Sequence, residues 1–341
     1  MSSLQQFWVE RSDTAMGGHL AMRVVWEREL SDTQRAEVAT LLRELSVRVK
    51  AWAAIVTRHH PSQLTRLNEQ TEPRVRVGPT IAALLSWAAD AWELTGGLVN
   101  ITMLKERIAA ERGTPLHGKT AADRGWSLTL RSWRHRDHQH HLGGELRRPL
   151  GLKIDLDGVG KGWIVDRAVS LLVRSLDVAV DAGRVPTWSS CYVNGDGDIA
   201  VRNRNGATTE ISVEIPRDQE RAIGTLTVNG ASCGVATSGT GVHRWGGRHH
   251  LIDPRTGDSA RSGIAQATVV ASSAREAEAW AKSIVIDGAA VMRRAEAAGV
   301  QQIIAIRDDG DVVSAPALAH LRPRSTYAPA PAVSTTDGGA Q

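Results

Sequence analysis

The sequence predicts an α+β fold, mixed sheets with flanking helices, and three observations carry this. Apolar residues recur with a helical period over 32–58, 80–94 and 161–176. Short stretches such as 191–202 and 208–216 read instead as extended, separated by polar turns. The two kinds of segment intermingle without the regular alternation that builds a doubly wound parallel sheet.

In order, residues 20–27 (LAMRVVWE) read as a strand. Val38, Leu41, Leu42, Leu45, Val47, Val49, Trp52 and Ile55 set the period of a helix over 32–58, with Ser31 as its cap. A second helix over 80–94 stops at Thr95-Gly96-Gly97, glycine being the usual residue past a helix end. Residues 126–156 read as short extended pieces that turn at Gly143-Gly144, and a helix over 161–176 follows a glycine loop. Strands over 191–202 and 208–216 flank a turn at Asn203–Gly206; others are expected over 224–229, 249–253 and 264–271. Ser273-Ala-Arg-Glu276 is a capping box for a helix reaching 286, which a helix over 288–298 and a hairpin over 302–313 follow. The Pro/Ala/Ser/Thr/Gly-rich residues 324–341 read as a disordered tail and residues 1–13 as an N-terminal arm, leaving 14–323 as the folded domain.

The 341 residues suffice for a full core, and 41 basic against 37 acidic residues is too even a balance to imply nucleic acid. No apolar run approaches the roughly 18 residues of a membrane span. The start, MSSLQQFWVERSDT, lacks a basic segment followed by an apolar one, so a cytoplasmic protein without a secretion signal is expected. Cys191 and Cys233 sit in apolar or small-residue settings, those of reduced core thiols.

The run Asp155-Leu-Asp-Gly-Val-Gly-Lys-Gly-Trp-Ile-Val-Asp166 is the most informative. A strand-like lead-in, a glycine loop and a helix start aim backbone N–H groups at an anion, and Lys161 adds an ammonium beside them. It fails the P-loop spacing. It mimics a calcium loop through Asp155, Asp157, Gly160 and Asp166, but Val159 occupies a ligand position. Asn194-Gly-Asp-Gly-Asp198 suits a hairpin turn as well as a site. Of His249 and His250, neighbours on an extended segment, only one can face a given pocket. His135, His138, His140 and His141 with Asp137 lack ligand spacing and read as solvated surface. Glu278 and Lys282, four apart on the helix after the capping box, read most simply as an i,i+4 ion pair contributing about 0.3–0.5 kcal/mol. Trp52, Trp87, Trp92 and Trp280 occupy core-type positions, while Trp163 is placed to cover a ligand.

Seven motifs in a fixed order resemble the FAD:protein FMN transferase (ApbE-type flavin transferase) family, over about residues 14–318. Met16-Gly-Gly18 is similar to its Met-Gly-Thr, and Ser62-Gln-Leu-Thr-Arg-Leu-Asn68 to its Ser-Glu-Leu-Ser-Arg-Leu-Asn. Thr95-Gly-Gly-Leu-Val-Asn-Ile-Thr102 resembles Thr-Gly-Gly-x-Phe-Asp-Pro-Thr. Asp155–Asp166 resembles Asp-Leu-x-Gly-x-x-Lys-Gly-Tyr-x-x-Asp, and Val193–Ile199 resembles Val-Asn-x-Gly-Gly-Asp-Ile. Val235-Ala-Thr-Ser-Gly239 and His250-Leu-Ile-Asp-Pro-Arg-Thr-Gly257 match closely.

The resemblance implies that FAD binds across a cleft and that a Thr or Ser hydroxyl of an acceptor protein takes its FMN, releasing AMP. Met16, His59, Leu98, Val99, Asn100, Asp155, Lys161, His250 and Leu251 would hold FAD, and His250 would be the general base. Mg²⁺ would sit at the Gly158 carbonyl and the carboxylate of Glu278, which is also counted as catalytic. Two further activities fit the same ligand: a flavin carrier without transfer, or hydrolysis of FAD to FMN and AMP. The family's metal-binding helix reads Ala-Asp-x-x-x-Thr, against Ala277-Glu278-Ala-Trp-Ala-Lys282 here. An ammonium cannot coordinate a cation. The expectation is therefore that Lys282, paired with Glu278, takes or crowds the metal position. Asn100 also replaces an acid, and Asp196 a glycine.

Overall fold

The computed structural model describes residues 6–114, 125–134, 140–215, 218–241, 243–316 and 321–322. A hairpin of β1 (Phe7–Ala15) and β2 (Gly18–Trp26) precedes the long helix α1 (Asp32–Val56). Ser31 caps α1, its hydroxyl accepting from the Gln34 amide while Gln34 returns a carboxamide oxygen to the Ser31 N–H. Next come α2 (Gln63–Glu69), β3 (Arg74–Val77), α3 (Pro79–Thr95) and α4 (Leu104–Glu111). β4 (Ser127–Arg134) and β5 (His140–Arg147) lead to α5 (Gly160–Asp181), which the glycine loop opens. Four strands follow, β6 (Ser190–Gly195), β7 (Asp198–Asn203), β8 (Thr209–Ile215) and β9 (Asp218–Val228). After β10 (Ser232–Gly239), the short β11 (Arg244–Trp245) and β12 (Arg248–His249) precede β13 (Ile264–Ala271). The last elements are α6 (Ala274–Asp287), α7 (Ala289–Ala297), β14 (Gln302–Arg307), β15 (Val312–Ala315) and β16 (Leu321–Arg322).

The organising layer is an antiparallel sheet in the order β1-β2-β6-β7-β10-β13-β14-β15. β13, an apolar run, is buried along its whole length because both of its faces are covered. Trp280, Ile284 and Val285 of α6 pack with Val269 on one side, and Val270 joins Val213, Leu226 and Val228 of the small β16-β9-β8 sheet on the other. A third core gathers α1, α3 and α5 against β2 and β6 through Leu42, Val49, Leu84, Val165 and Leu172.

The first turns of α5 and α6 meet so closely that side chains are excluded. A Cβ on Gly162 would lie 2.7 Å from the Ala274 carbonyl oxygen, and one on Gly234 1.9 Å from the Ala274 nitrogen. Asp166 completes the junction by accepting from the Ala274 and Arg275 amides, both at 3.0 Å. This carboxylate, the last of the calcium-loop pattern, is a helix cap.

Several expectations change. Gly143-Gly144 is no turn: β5 runs straight through it, and a Cβ on Gly144 would meet Leu128 at 2.6 Å and Ala82 at 3.4 Å. Gly144 serves close packing under α3. The stretch 191–202 is two strands joined at Asp196-Gly197, whose φ values of 61° and 95° make the primed turn that matches strand twist. The strand over 249–253 shrinks to β12, with one bridge between Ile252 and Ser259. The Ser273 box is half formed, since the Glu276 carboxylate takes the Ser272 hydroxyl rather than the Ser273 amide. Trp163 is 7% exposed in the core beneath Arg167 and covers no ligand space. Phe7–Ala15 of the arm form an edge strand on β2. His135, Asp137, His138 and the tail from residue 324 lie outside the described residues.

Candidate active site

A cleft of about 1250 Å³ opens between the end of α1, the glycine loop, the Asp196-Gly197 turn and the loop after β12. That exceeds the roughly 300–1,000 Å³ that holds a drug-sized molecule. Met16, His59, Leu98, Val99, Asn100, Asp155, Gly158, Lys161, His250, Leu251 and Lys282 all line it. Glu278 does not. It lies beneath the floor, 1% exposed.

The strand and turn geometry at His249-His250 separates the two imidazoles. His249 is buried, its Nδ1 accepting from the Leu251 amide at 3.3 Å and its Nε2 donating to the Ala260 carbonyl at 3.0 Å. His250 faces the cleft. The loop behind it is fixed by Asp253, which accepts from the Arg255 amide and, with Asp287, clasps the Arg255 guanidinium. Burial lowers the His250 pKa, and Arg107, His243, Lys282 and His249 lower it further, to about 2. The ring is therefore neutral at every physiological pH.

Sequence reasoning missed the wall opposite the glycine loop. Arg58, just past α1, binds Asp157 at 3.0 Å and Glu111, and its Nε stands 3.7 Å from Asp155. Arg107 of α4 joins Glu111 at 3.1 Å. Burial opposes the charge on Arg58, but the Glu111 hydrogen bond and the Asp155 and Asp157 charges outweigh it. Asp155 is pushed up to about 6 by burial first and Asp157 second, against Arg107 and Arg58. His59 reaches Asp157 at 3.4 Å. Over this wall lie His243 and Trp245, stacked at 6.4 Å, with His243 edge-on to His250 at 5.4 Å. No spacing signal marked these residues, because α4 has only eight residues and the loop before β11 no period.

The Asn194–Asp198 cluster is both turn and site. Asn194 Oδ1 accepts the Gly197 amide at 2.9 Å, while Asp196 meets the Lys161 ammonium at 3.3 Å. Asp198, 4% exposed, is raised to about 7 by burial and by Glu278, opposed by Lys282 and Lys161. Burial disfavours the charged Lys161, but Asp198, Asp196 and Glu278 outweigh it and its pKa rises.

The donors do not fit the implied Mg²⁺. Glu278 Oε1 takes the Lys282 ammonium at 2.6 Å and Oε2 the Gly162 amide at 3.1 Å. A divalent cation here would face an ammonium instead of the oxygen ligands it requires. Among the described residues no three His, Cys, Asp or Glu side chains gather as a metal group.

An antiparallel sheet flanked by helices, with a glycine loop, two lysines and a histidine around one large cleft, defines a class: an α+β protein with a ligand-sized site. The ApbE family model matches residues 16–304, and the chain belongs to that family. It is similar to the FAD:protein FMN transferase of Escherichia coli K12, 28% identical over 158 residues, or 44% of this chain and 40% of that protein. A Klebsiella pneumoniae FAD:protein FMN transferase is 25% identical over 182 residues, 50% of this chain and 51% of its own length. The matches thus span about half or less of these relatives. The fold is that of an ApbE protein from Thermotoga maritima, with TM-score 0.69 and 20% identity over 90% of this chain and 96% of that one. The flavin transferase ApbE of Vibrio cholerae gives 0.65 and 21% over 91% and 97%. No helix among the described residues is long and apolar enough to cross a membrane.

Proposed function

We propose that the cleft binds FAD and that the chain transfers its FMN to a Thr or Ser hydroxyl of an acceptor protein, releasing AMP. One observation carries this reading: His250, Lys161, Asp155 and the apolar Leu98-Val99 pair, distant in sequence, meet in one cleft of about 1250 Å³. The names of the relatives support it.

In this reading Met16, Leu98, Val99 and Leu251 supply apolar surface for the rings, with His59 and Asn100 at the edges. Asp155 accepts hydrogen bonds from the ligand, and Lys161 meets its diphosphate. The acceptor oxygen forms a bond to the FMN phosphorus as the bond to the bridging oxygen breaks, and that oxygen leaves on AMP. His250, neutral beforehand, takes the hydroxyl proton. Holding the two reactants in line removes much of the entropic barrier, and Lys161 offsets charge on the phosphoryl oxygens. Glu278 acts from below, by holding Lys282. Gly158 lends the glycine loop its shape at the cleft wall.

The test incubates the full chain with FAD and a flavin-acceptor protein, then follows AMP release and flavin that stays on the acceptor after denaturation. Flavin on a Thr or Ser of the acceptor, with AMP in equal amount, is the expected result. Free FMN plus AMP would assign hydrolysis instead, and unchanged bound FAD a carrier.

A further inference from the structure

We propose that Lys282 is a built-in counter-charge for the ligand's diphosphate, so that this cleft binds its dinucleotide without a divalent cation. The proposal rests on the flavin reading above and deepens it.

The geometry around Lys282 is that of a fixed cation. Its side chain is 14% exposed and lines the cleft, and Glu278 one turn earlier on α6 holds the ammonium at 2.6 Å. Glu278 is itself fixed, because its second oxygen accepts the Gly162 amide in the first turn of α5. Both carboxylate oxygens thus carry a hydrogen bond, and a metal on Oε1 would stand beside the Lys282 ammonium. Lys282 has three N–H donors, of which the Glu278 bond uses one.

Each ammonium is held by a carboxylate of the site: Lys282 by Glu278 at 2.6 Å and Lys161 by Asp196 at 3.3 Å, with the buried Asp198 between their charges. Here the positive charge is covalently attached and already in place, as a point charge on phosphate oxygens. The Lys282 ammonium, held on α6 by Glu278, therefore does what an ion would otherwise do.

The test is titration of the full-length protein with FAD, followed by flavin fluorescence, in EDTA and in MgCl₂. Wild type is expected to give the same Kd in both, within about twofold. Lys282→Met is expected to raise Kd by about tenfold or more, with no rescue by Mg²⁺. Glu278→Asp combined with Lys282→Thr supplies oxygen ligands instead. It is expected to bind FAD weakly in EDTA, to recover about tenfold with Mg²⁺, and to take up Mn²⁺ by electron paramagnetic resonance where wild type does not. Should Lys282→Met fail to fold, Glu278→Gln with Lys282→Met removes both charges together and carries the same expectation. Tightening of wild type by about tenfold in Mg²⁺, stoichiometric Mn²⁺ uptake by wild type, or unaltered FAD affinity in Lys282→Met would each overturn the proposal. A wild type that binds no FAD in either buffer overturns the flavin reading, whereas the Mn²⁺ arm bears on the metal alone.

Discussion

The Asp196 carboxylate occupies the space that a side chain on Gly18 would need: a Cβ there would stand 2.2 Å from Asp196 Cγ. The family pattern has threonine at the first position and glycine at the second, so the two departures compensate. Asp196 rests across the β1–β2 turn, close to the His19 amide, and reaches Lys161 at 3.3 Å. Gly18→Thr is expected to displace the carboxylate and lower stability by about 1–2 kcal/mol. Adding Asp196→Gly should recover most of that loss. Urea denaturation of the two single variants and the double measures the coupling, and purely additive effects would refute it.

Asp166 binds the two halves of the site floor together through the Ala274 and Arg275 amides. Asp166→Ala strips the cap from α6 where Gly162 and Gly234 hold the backbones in contact. A loss of about 1–2 kcal/mol is expected in urea unfolding. The glycine loop should loosen too, read as faster amide exchange over 158–166 than in wild type.

Much of this architecture was legible because periodicity reports burial. Residues 264–271 and the helices around Leu42, Leu84 and Ile284 bury most of the positions their patterns indicate, but Val47 is 65% exposed and Leu41 and Ile55 are only half-buried. The histidine pair resolved as alternation requires, His249 inward and His250 to the cleft. Turns fared worse, because glycine signals a backbone need without saying which. At Gly144 the need was room for Leu128 and Ala82, while at Gly197 it was a positive φ of 95°. The Arg58–Glu111–Arg107 wall was invisible for another reason. Its members come from a loop and a short helix, and only the tertiary fold brings them to Asp155.

Asp155 should make the ligand-free protein less stable as pH rises. Its folded pKa of about 6 lies above the ordinary aspartate value of 3.8, so the folded state holds the proton more tightly. The contribution is complete below about pH 4 and is lost as pH climbs through about 6, with a slope of at most about 1.4 kcal/mol per pH unit. Asp198 acts in the same direction up to about 7, so the informative quantity is a difference. Wild type minus Asp155→Asn, by urea midpoints between about pH 4 and 7, isolates the group. A difference independent of pH would show that Asp155 is not held protonated by its surroundings.

FAD should raise the proton affinity of His250. In the free cleft its pKa of about 2 results from burial followed by the positive charge of Arg107, the neighbouring His243 and Lys282. A diphosphate bound between Lys161 and Lys282 adds negative charge beside the ring and offsets those cations. An opposite charge within a few ångströms typically shifts a pKa by about 1–3 units, so the imidazole in the complex should titrate at about 3–5. That moves it toward the range in which a general base takes a proton efficiently, and only when a substrate is there to receive the nucleophile. Proton NMR titration of His250, assigned by its loss in His250→Ala, measures the value with and without FAD. The same variant, at saturating FAD, should release AMP about 10²–10⁴ times more slowly. An unchanged His250 pKa in the complex would separate the imidazole from the phosphates, and transfer at the wild-type rate in His250→Ala would remove it from the chemistry.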